Sequence, residues 1–155
     1  MKMIGLFILT LSLISLSVSA AEDAHIFSPA NGVKAVITTE GGALTWQVNY
    51  GGKNNRERVD VDIEKPIYVD VNDYDFSGHL GFAVWHVDDG MGTYSVYRVF
   101  TFSPSTKKFV ERSPAPLCGD EFVNLKVDKK GHRLFSTFWD QNIPKVCATR
   151  LSPLK

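Results

Sequence analysis

Apolar and polar residues alternate with a period of two along most of this chain, and nowhere past the first twenty residues does a sustained helical period appear. Short runs rich in Val, Ile, Thr, Tyr and Phe are separated by Gly, Asn, Asp and Pro, which is how antiparallel β structure reads. Val33–Thr39 and Ala43–Tyr50 flank Gly41-Gly42 as a hairpin, and Gly51–Asn55 turns the chain into Arg58–Ile63, where Val59, Val61 and Ile63 alternate with Asp60 and Asp62. Pro66 precedes the strand Ile67–Val71. Leu80–Val87 holds an unbroken apolar run, Phe82 to Trp85, and is expected to be a central strand. Tyr94–Phe102, Lys107–Arg112, Glu121–Val127, His132–Trp139 and Lys145–Leu151 follow, so about ten strands are expected in one all-β domain, built as an antiparallel sandwich or a small propeller-like fold.

The exception to the alternation is the start of the chain. Lys2 is followed by an apolar run, Ile4–Leu16, and by small residues at Val18-Ser19-Ala20 or Ser19-Ala20-Ala21, the layout of a cleaved signal peptide spanning 1–21. The run is short for a membrane span, and Glu22 and Asp23 come directly after it. No cysteine marks a lipid-attachment site. The expected product is a single domain, residues 22–155, in the periplasm or outside the cell.

Charge adds an exclusion. The whole chain balances 17 basic against 17 acidic residues. Losing Lys2 leaves a net charge near −1, with no basic stripe to neutralise phosphates, so nucleic acid is not an expected partner. Cys118 and Cys147 are the only cysteines, 29 positions apart, in a chain expected to be exported. A structural disulfide follows, worth about 3–4 kcal/mol by loop-closure entropy.

Candidate chemistry concentrates in one loop. Asp73-Tyr74-Asp75-Phe76-Ser77-Gly78-His79 places oxygen-bearing side chains at alternate positions before a glycine, as a calcium loop does. With Asp73 as position one, Asp75, Ser77 and the His79 carbonyl fall at three, five and seven. Gly81 and Val84 then occupy positions nine and twelve, where an EF-hand has ligands, and the flanks read as strands. A full calcium shell would need help from Asp70, Asn72, Asp88 or Asp89; the competing reading is a surface turn. His25, His79, His86 and His132 form no tight metal-ligand spacing, and no nucleophile elbow, P-loop or dinucleotide glycine pattern occurs, so an enzyme is not expected. Trp46, Trp85 and Trp139 each lie in a strand and are expected in the core; exposed and coplanar, they would point instead to a carbohydrate- or surface-binding module.

Asp70–Val110, with N-D-Y-D-F-S-G at Asn72–Gly78, a glycine-rich loop, Y-S-V-Y at Tyr94–Tyr97 and K-K-F at Lys107–Phe109, resembles the periplasmic inhibitors of i-type lysozymes and related immunity proteins against cell-wall hydrolases. Their shared core is D-x-N-x-D-G-x-x-D-[LF]. The resemblance implies an all-β fold, calcium held by Asp73, Asp75, Ser77 and the His79 carbonyl, and Gly81 in place of a family aspartate. It implies further that a loop of form S-G-x-Y enters the enzyme cleft. Here that loop is Met91-Gly92-Thr93-Tyr94, with methionine replacing the serine, inside a target-binding segment Asp88, Asp89, Gly90, Met91, Gly92, Thr93 and Tyr94. The expected partner is a lysozyme-like hydrolase, of the host or of the bacterium itself.

Overall fold

The computed structural model describes residues 24–40, 42–61, 66–88, 90 and 93–155. Eleven strands and no helix occur among them: β1 (Ala24–Phe27), β2 (Val33–Glu40), β3 (Ala43–Tyr50), β4 (Lys53–Asp60), β5 (Tyr68–Asn72), β6 (Gly81–Asp88), β7 (Tyr94–Ser103), β8 (Lys108–Arg112), β9 (Phe122–Asp128), β10 (Arg133–Asp140) and β11 (Ile143–Thr149). They form two antiparallel sheets, an all-β sandwich-like arrangement. One sheet is a four-stranded meander, β1-β2-β3-β4. The other has seven strands ordered β11-β10-β9-β7-β6-β5, with β8 also paired to β7, and curls into half a barrel. The expected signal segment lies outside the described residues, and no described helix is long and apolar enough to cross a membrane.

Two departures from the sequence reading have simple causes. The turn expected over Gly51–Asn55 is only Gly51-Gly52, both at positive φ (52° and 75°), and Tyr50 already pairs with Lys53. Two left-handed residues in a row suit the tight hairpin turns whose twist matches the strands. Strand β4 therefore begins in a polar stretch, K-N-N-R, on the exposed edge of the meander, and ends at Asp60; Asp62 and Ile63 lie outside the described residues. Strand β1 was not expected, because four residues leave too little alternation to read.

Two cores flank the seven-stranded sheet. Between the sheets lie Ile37, Leu44, Trp46 and Val48 from the meander against Phe82, Val84, Phe100, Phe102 and Phe109. Trp46 packs on both Phe82 and Phe100, with ring centroids 5.6 and 5.3 Å away. The opposite face, inside the half barrel, gathers Tyr74, Ala83, Val99, Phe122, Leu134 and Leu151. Strand β6 is thus covered on both faces, which explains its unbroken apolar run.

Strand β7 divides its outer edge between two partners. Val99–Ser103 pairs with β8, whereas Val96 and Tyr97 pair with β9. Between β8 and β9 the chain makes an excursion, Ser113–Glu121, tied back to β11 by the Cys118–Cys147 disulfide (Cα–Cα 5.5 Å). This excursion and the end of the β6–β7 hairpin border the sites considered next.

Candidate functional site

The acidic loop turns its aromatic side chains inward. Tyr74 is 1% exposed in the half-barrel core, and Phe76 stacks on His132 at 5.2 Å. The Tyr74 hydroxyl donates to Asp70 Oδ2 at 2.9 Å. Burial, then the Asp70 carboxylate, push its phenol far above the ordinary tyrosine value. The same two causes raise Tyr97.

The loop's carboxylates are engaged within the protein. Asp73 accepts from the Ser77 and Gly78 amides at 3.1 and 2.7 Å, and its own amide donates to Asn72 Oδ1. Asp75 Oδ1 accepts from the Ser77 hydroxyl at 2.6 Å and the Ser77 amide at 3.3 Å. Ser77 Oγ in turn accepts from the His79 amide at 3.2 Å, and the His79 ring lies near it. Asp75 Oδ2 is buried without a hydrogen-bond partner, 4.0 Å from Arg112 Nη1. Arg112 also donates to Thr101 Oγ1 and to the Ser152 carbonyl, joining loop, β7, β8 and C-terminal tail.

As a calcium site this donor set fits poorly. Calcium takes six to eight oxygens. Among the described residues no group of three or more His, Cys, Asp and Glu side chains could hold a metal ion. Asp88 stands at the far end of β6 from the loop, about 25 Å away by strand rise, so it cannot complete the shell. Asp70 is occupied by Tyr74, and Asp89 lies outside the described residues. Position nine has a physical reason to lack a ligand: a Cβ on Gly81 would sit 2.2 Å from the Phe100 carbonyl oxygen.

The second candidate is the end of the β6–β7 hairpin. Asp88 pairs with Tyr94, and Asp88 Oδ1 accepts from the Gly90 amide at 3.1 Å. Thr93 is exposed and Tyr94 half-buried; Asp89, Met91 and Gly92 lie outside the described residues. Tyr94 meets Trp139 edge to face at 4.8 Å and 78°. Trp139, expected in the core, is 40% exposed. The Tyr94 face of β7 is the one that, farther along, packs Phe100 and Phe102 under the meander. Past the end of the meander this face continues onto Val96, Val123 and Thr137, which are partly buried, and onto exposed Trp139, with no described strand lying over it.

Two hollows lie over that uncovered face, of about 470 and about 930 Å³, sharing Glu121, Val123 and Trp139. They form one trough. Asp88 and Tyr94 stand on one bank, and Pro116, Leu117 and Asp120 on the other. The third tryptophan, Trp85, is sandwiched between Tyr68 (4.4 Å, 25°) and Tyr97 (5.6 Å, 24°), so these rings cover one another rather than forming a flat platform.

Sequence reasoning missed the Leu117 bank. The Cys118 amide donates to the Ala115 carbonyl at 2.9 Å, closing a turn with Pro116 second and Leu117, at φ 74°, third. That is the pattern of a type II turn, whose third position ordinarily takes glycine. The Ala115 amide donates to the buried Thr149 Oγ1, a second fastening besides the disulfide. The P-L-C string names no turn type; only these long-range ties reveal it. No family model matches this chain, and no curated protein or solved structure matches it.

Proposed function

We propose that this protein is an exported binding protein that sterically blocks a peptidoglycan-degrading, lysozyme-like enzyme, as inhibitor or immunity protein, with the Asp88–Tyr94 hairpin end as its probe. The reading joins the sequence resemblance to one observation: Tyr94 and Trp139, packed edge to face, stand at an open trough at the very end of a strand anchored in both cores. Tyr94 and Trp139, each fixed in a paired strand, lose little backbone freedom when they dock. Occlusion needs no chemistry from this chain. Tyr94 supplies an aromatic anchor of the type that dominates interface energetics. The disulfide suits an oxidising compartment outside the cytoplasm.

The acidic loop takes a structural part in this proposal. Its carboxylates close the loop on its own amides, and the cation facing Asp75 is the Arg112 guanidinium. A carbohydrate-binding module is the alternative, with less support, since the Tyr68–Trp85–Tyr97 rings face one another.

The experiment is residues 22–155 added to a panel of lysozymes and to cell-wall hydrolases secreted by the producing strain, with turbidity of a peptidoglycan suspension as readout. Inhibition of at least one enzyme, lost in Tyr94→Ala at unchanged melting temperature, is expected. Binding to purified peptidoglycan with no enzyme inhibited would replace this proposal by the carbohydrate module.

A further inference from the structure

Two measures set Leu117 apart from an ordinary leucine, its exposure and its backbone. It is 92% exposed, so it adds nothing to a core. Its φ of 74° lies in the left-handed region, which costs a side-chain-bearing residue about 1–2 kcal/mol and glycine nothing. The turn that holds it is nevertheless fastened twice to β11, through Cys118–Cys147 and through Thr149. Strain held in place by covalent and hydrogen-bonded ties is characteristic of functional sites.

The surroundings state what this leucine is held for. It overlooks the uncovered sheet face, with Val123 on the floor and Trp139 beside it. Acidic residues edge the trough: Asp88 on the hairpin bank, Asp120 and Glu121 on the Leu117 bank, and Asp140 at the end of β10. No Lys or Arg lines it among the described residues. Lys145 is paired with Asp140 at 2.5 Å, and Arg98 is held by both oxygens of Glu111 at 2.7 and 2.8 Å. Asp120 and Glu121 are exposed and within ion-pair distance of no cation among the described residues, Arg98 lying near enough to Glu121 to interact with its charge at longer range. The trough therefore offers apolar and aromatic anchors inside an acidic border.

We infer that this trough binds a cationic polypeptide segment, one presenting Lys or Arg on either side of an apolar side chain, with Leu117 and Trp139 gripping the apolar residue and Asp120 and Glu121 meeting the charges. Val96, Val123 and Trp139 give an apolar side chain a surface to pack on, and complementary charge steers the encounter and sets its orientation. Leu117 is pre-positioned by its ties, so its ordering cost is met on folding and not on binding. The inference goes beyond the inhibitor proposal and does not need it: any protein with such a segment would fit.

The test is a titration of ¹⁵N-labelled residues 22–155 with the peptide acetyl-Lys-Leu-Lys-Leu-Lys-amide, and in parallel with acetyl-Glu-Leu-Glu-Leu-Glu-amide. Expected are shifts centred on Val123, Thr137 and the Trp139 indole with the cationic peptide only, weakening with added salt. Leu117→Gly, which relieves the backbone and keeps the fold, is expected to weaken binding roughly tenfold or more, as is Asp120→Lys combined with Glu121→Lys. Three outcomes overturn the inference: equal shifts with the acidic peptide or none with either; shifts at the trough caused by soluble peptidoglycan fragments instead; or trough shifts that follow the protein's own concentration, which would assign the face to a second copy. If hydrolases are inhibited but both variants inhibit as well as wild type, the trough falls and the Tyr94 probe stands. Peptide binding without hydrolase inhibition gives the reverse.

Discussion

The Asp73–Gly78 loop and the Ala115–Cys118 turn are both tight, both fastened by hydrogen bonds and both built around a left-handed non-glycine residue, Phe76 or Leu117. They use that geometry oppositely. Phe76 turns toward the half-barrel core and stacks on His132, so packing offsets its backbone cost. Leu117 turns into solvent, with too little of its side chain covered among the described residues to offset that cost. Conspicuous polar residues marked the first loop in the sequence, yet it is the second that leaves its chemistry unspent. Burial, not residue type, separates a loop that serves the fold from one available to a partner.

The largest expected effect falls on the inward loop. Arg112→Ala leaves Asp75 buried and uncompensated, a loss of about 3–5 kcal/mol that should collapse the urea midpoint or unfold the domain. A loss below about 1 kcal/mol would make the pair incidental. Replacing Cys118 and Cys147 together by serine should cost about 3–4 kcal/mol by the same measurement, and should leave the Leu117 turn held to β11 by the Ala115–Thr149 hydrogen bond alone. If the pair of serines leaves stability unchanged, the bridge does not constrain the chain.

Tyr74→Phe sits between the two regions in size of effect, about 1 kcal/mol at neutral pH for the lost bond to Asp70. Its pH signature is sharper. The folded phenol titrates above the unfolded one, so its contribution is fully present below the unfolded value near pH 10 and is lost as pH rises beyond it. Alkaline unfolding of wild type should therefore steepen above about pH 10, and Tyr74→Phe should flatten that limb. The smallest effect is expected from the cation: melting temperatures in calcium and in chelator should coincide. A calcium-dependent rise that disappears in Asp73→Ala would return the loop to the metal reading.

Much of the fold was legible because the sheets have distinct faces. Alternation placed β2, β3, β7 and β10 within a residue or so, and the continuous run Phe82–Trp85 announced a strand covered twice. What stayed hidden depended on residues far apart in the chain. Asp75 and Arg112 are separated by most of three strands, and no local pattern pairs them. The polar start of β4 has no hydrophobic signature because its strand is an edge. Trp139 reads as core from its strand, but the meander stops short of it. Leu117 is unremarkable in sequence because its conformation is imposed by Thr149 and Cys147, some thirty positions away.

The divided edge of β7 has a kinetic consequence. Its pairing with β8 closes across a four-residue turn, whereas its pairing with β9 comprises only Val96↔Val123 and Tyr97↔Phe122 and must wait for the whole Ser113–Glu121 excursion. A pairing of longer range costs more closure entropy than the β7–β8 turn and is offset here by only two residue pairs. Strands β9–β11, of which β9 and β10 line the trough, are therefore expected to separate from β7 more readily than β6 does. Amide exchange should be faster on β9–β11 than on β6 and the β8-paired half of β7, and uniform protection across the seven strands would show that the seam does not act as a hinge. A ligand lying across it would close the seam, so that occupancy and the lifetime of the native state rise together.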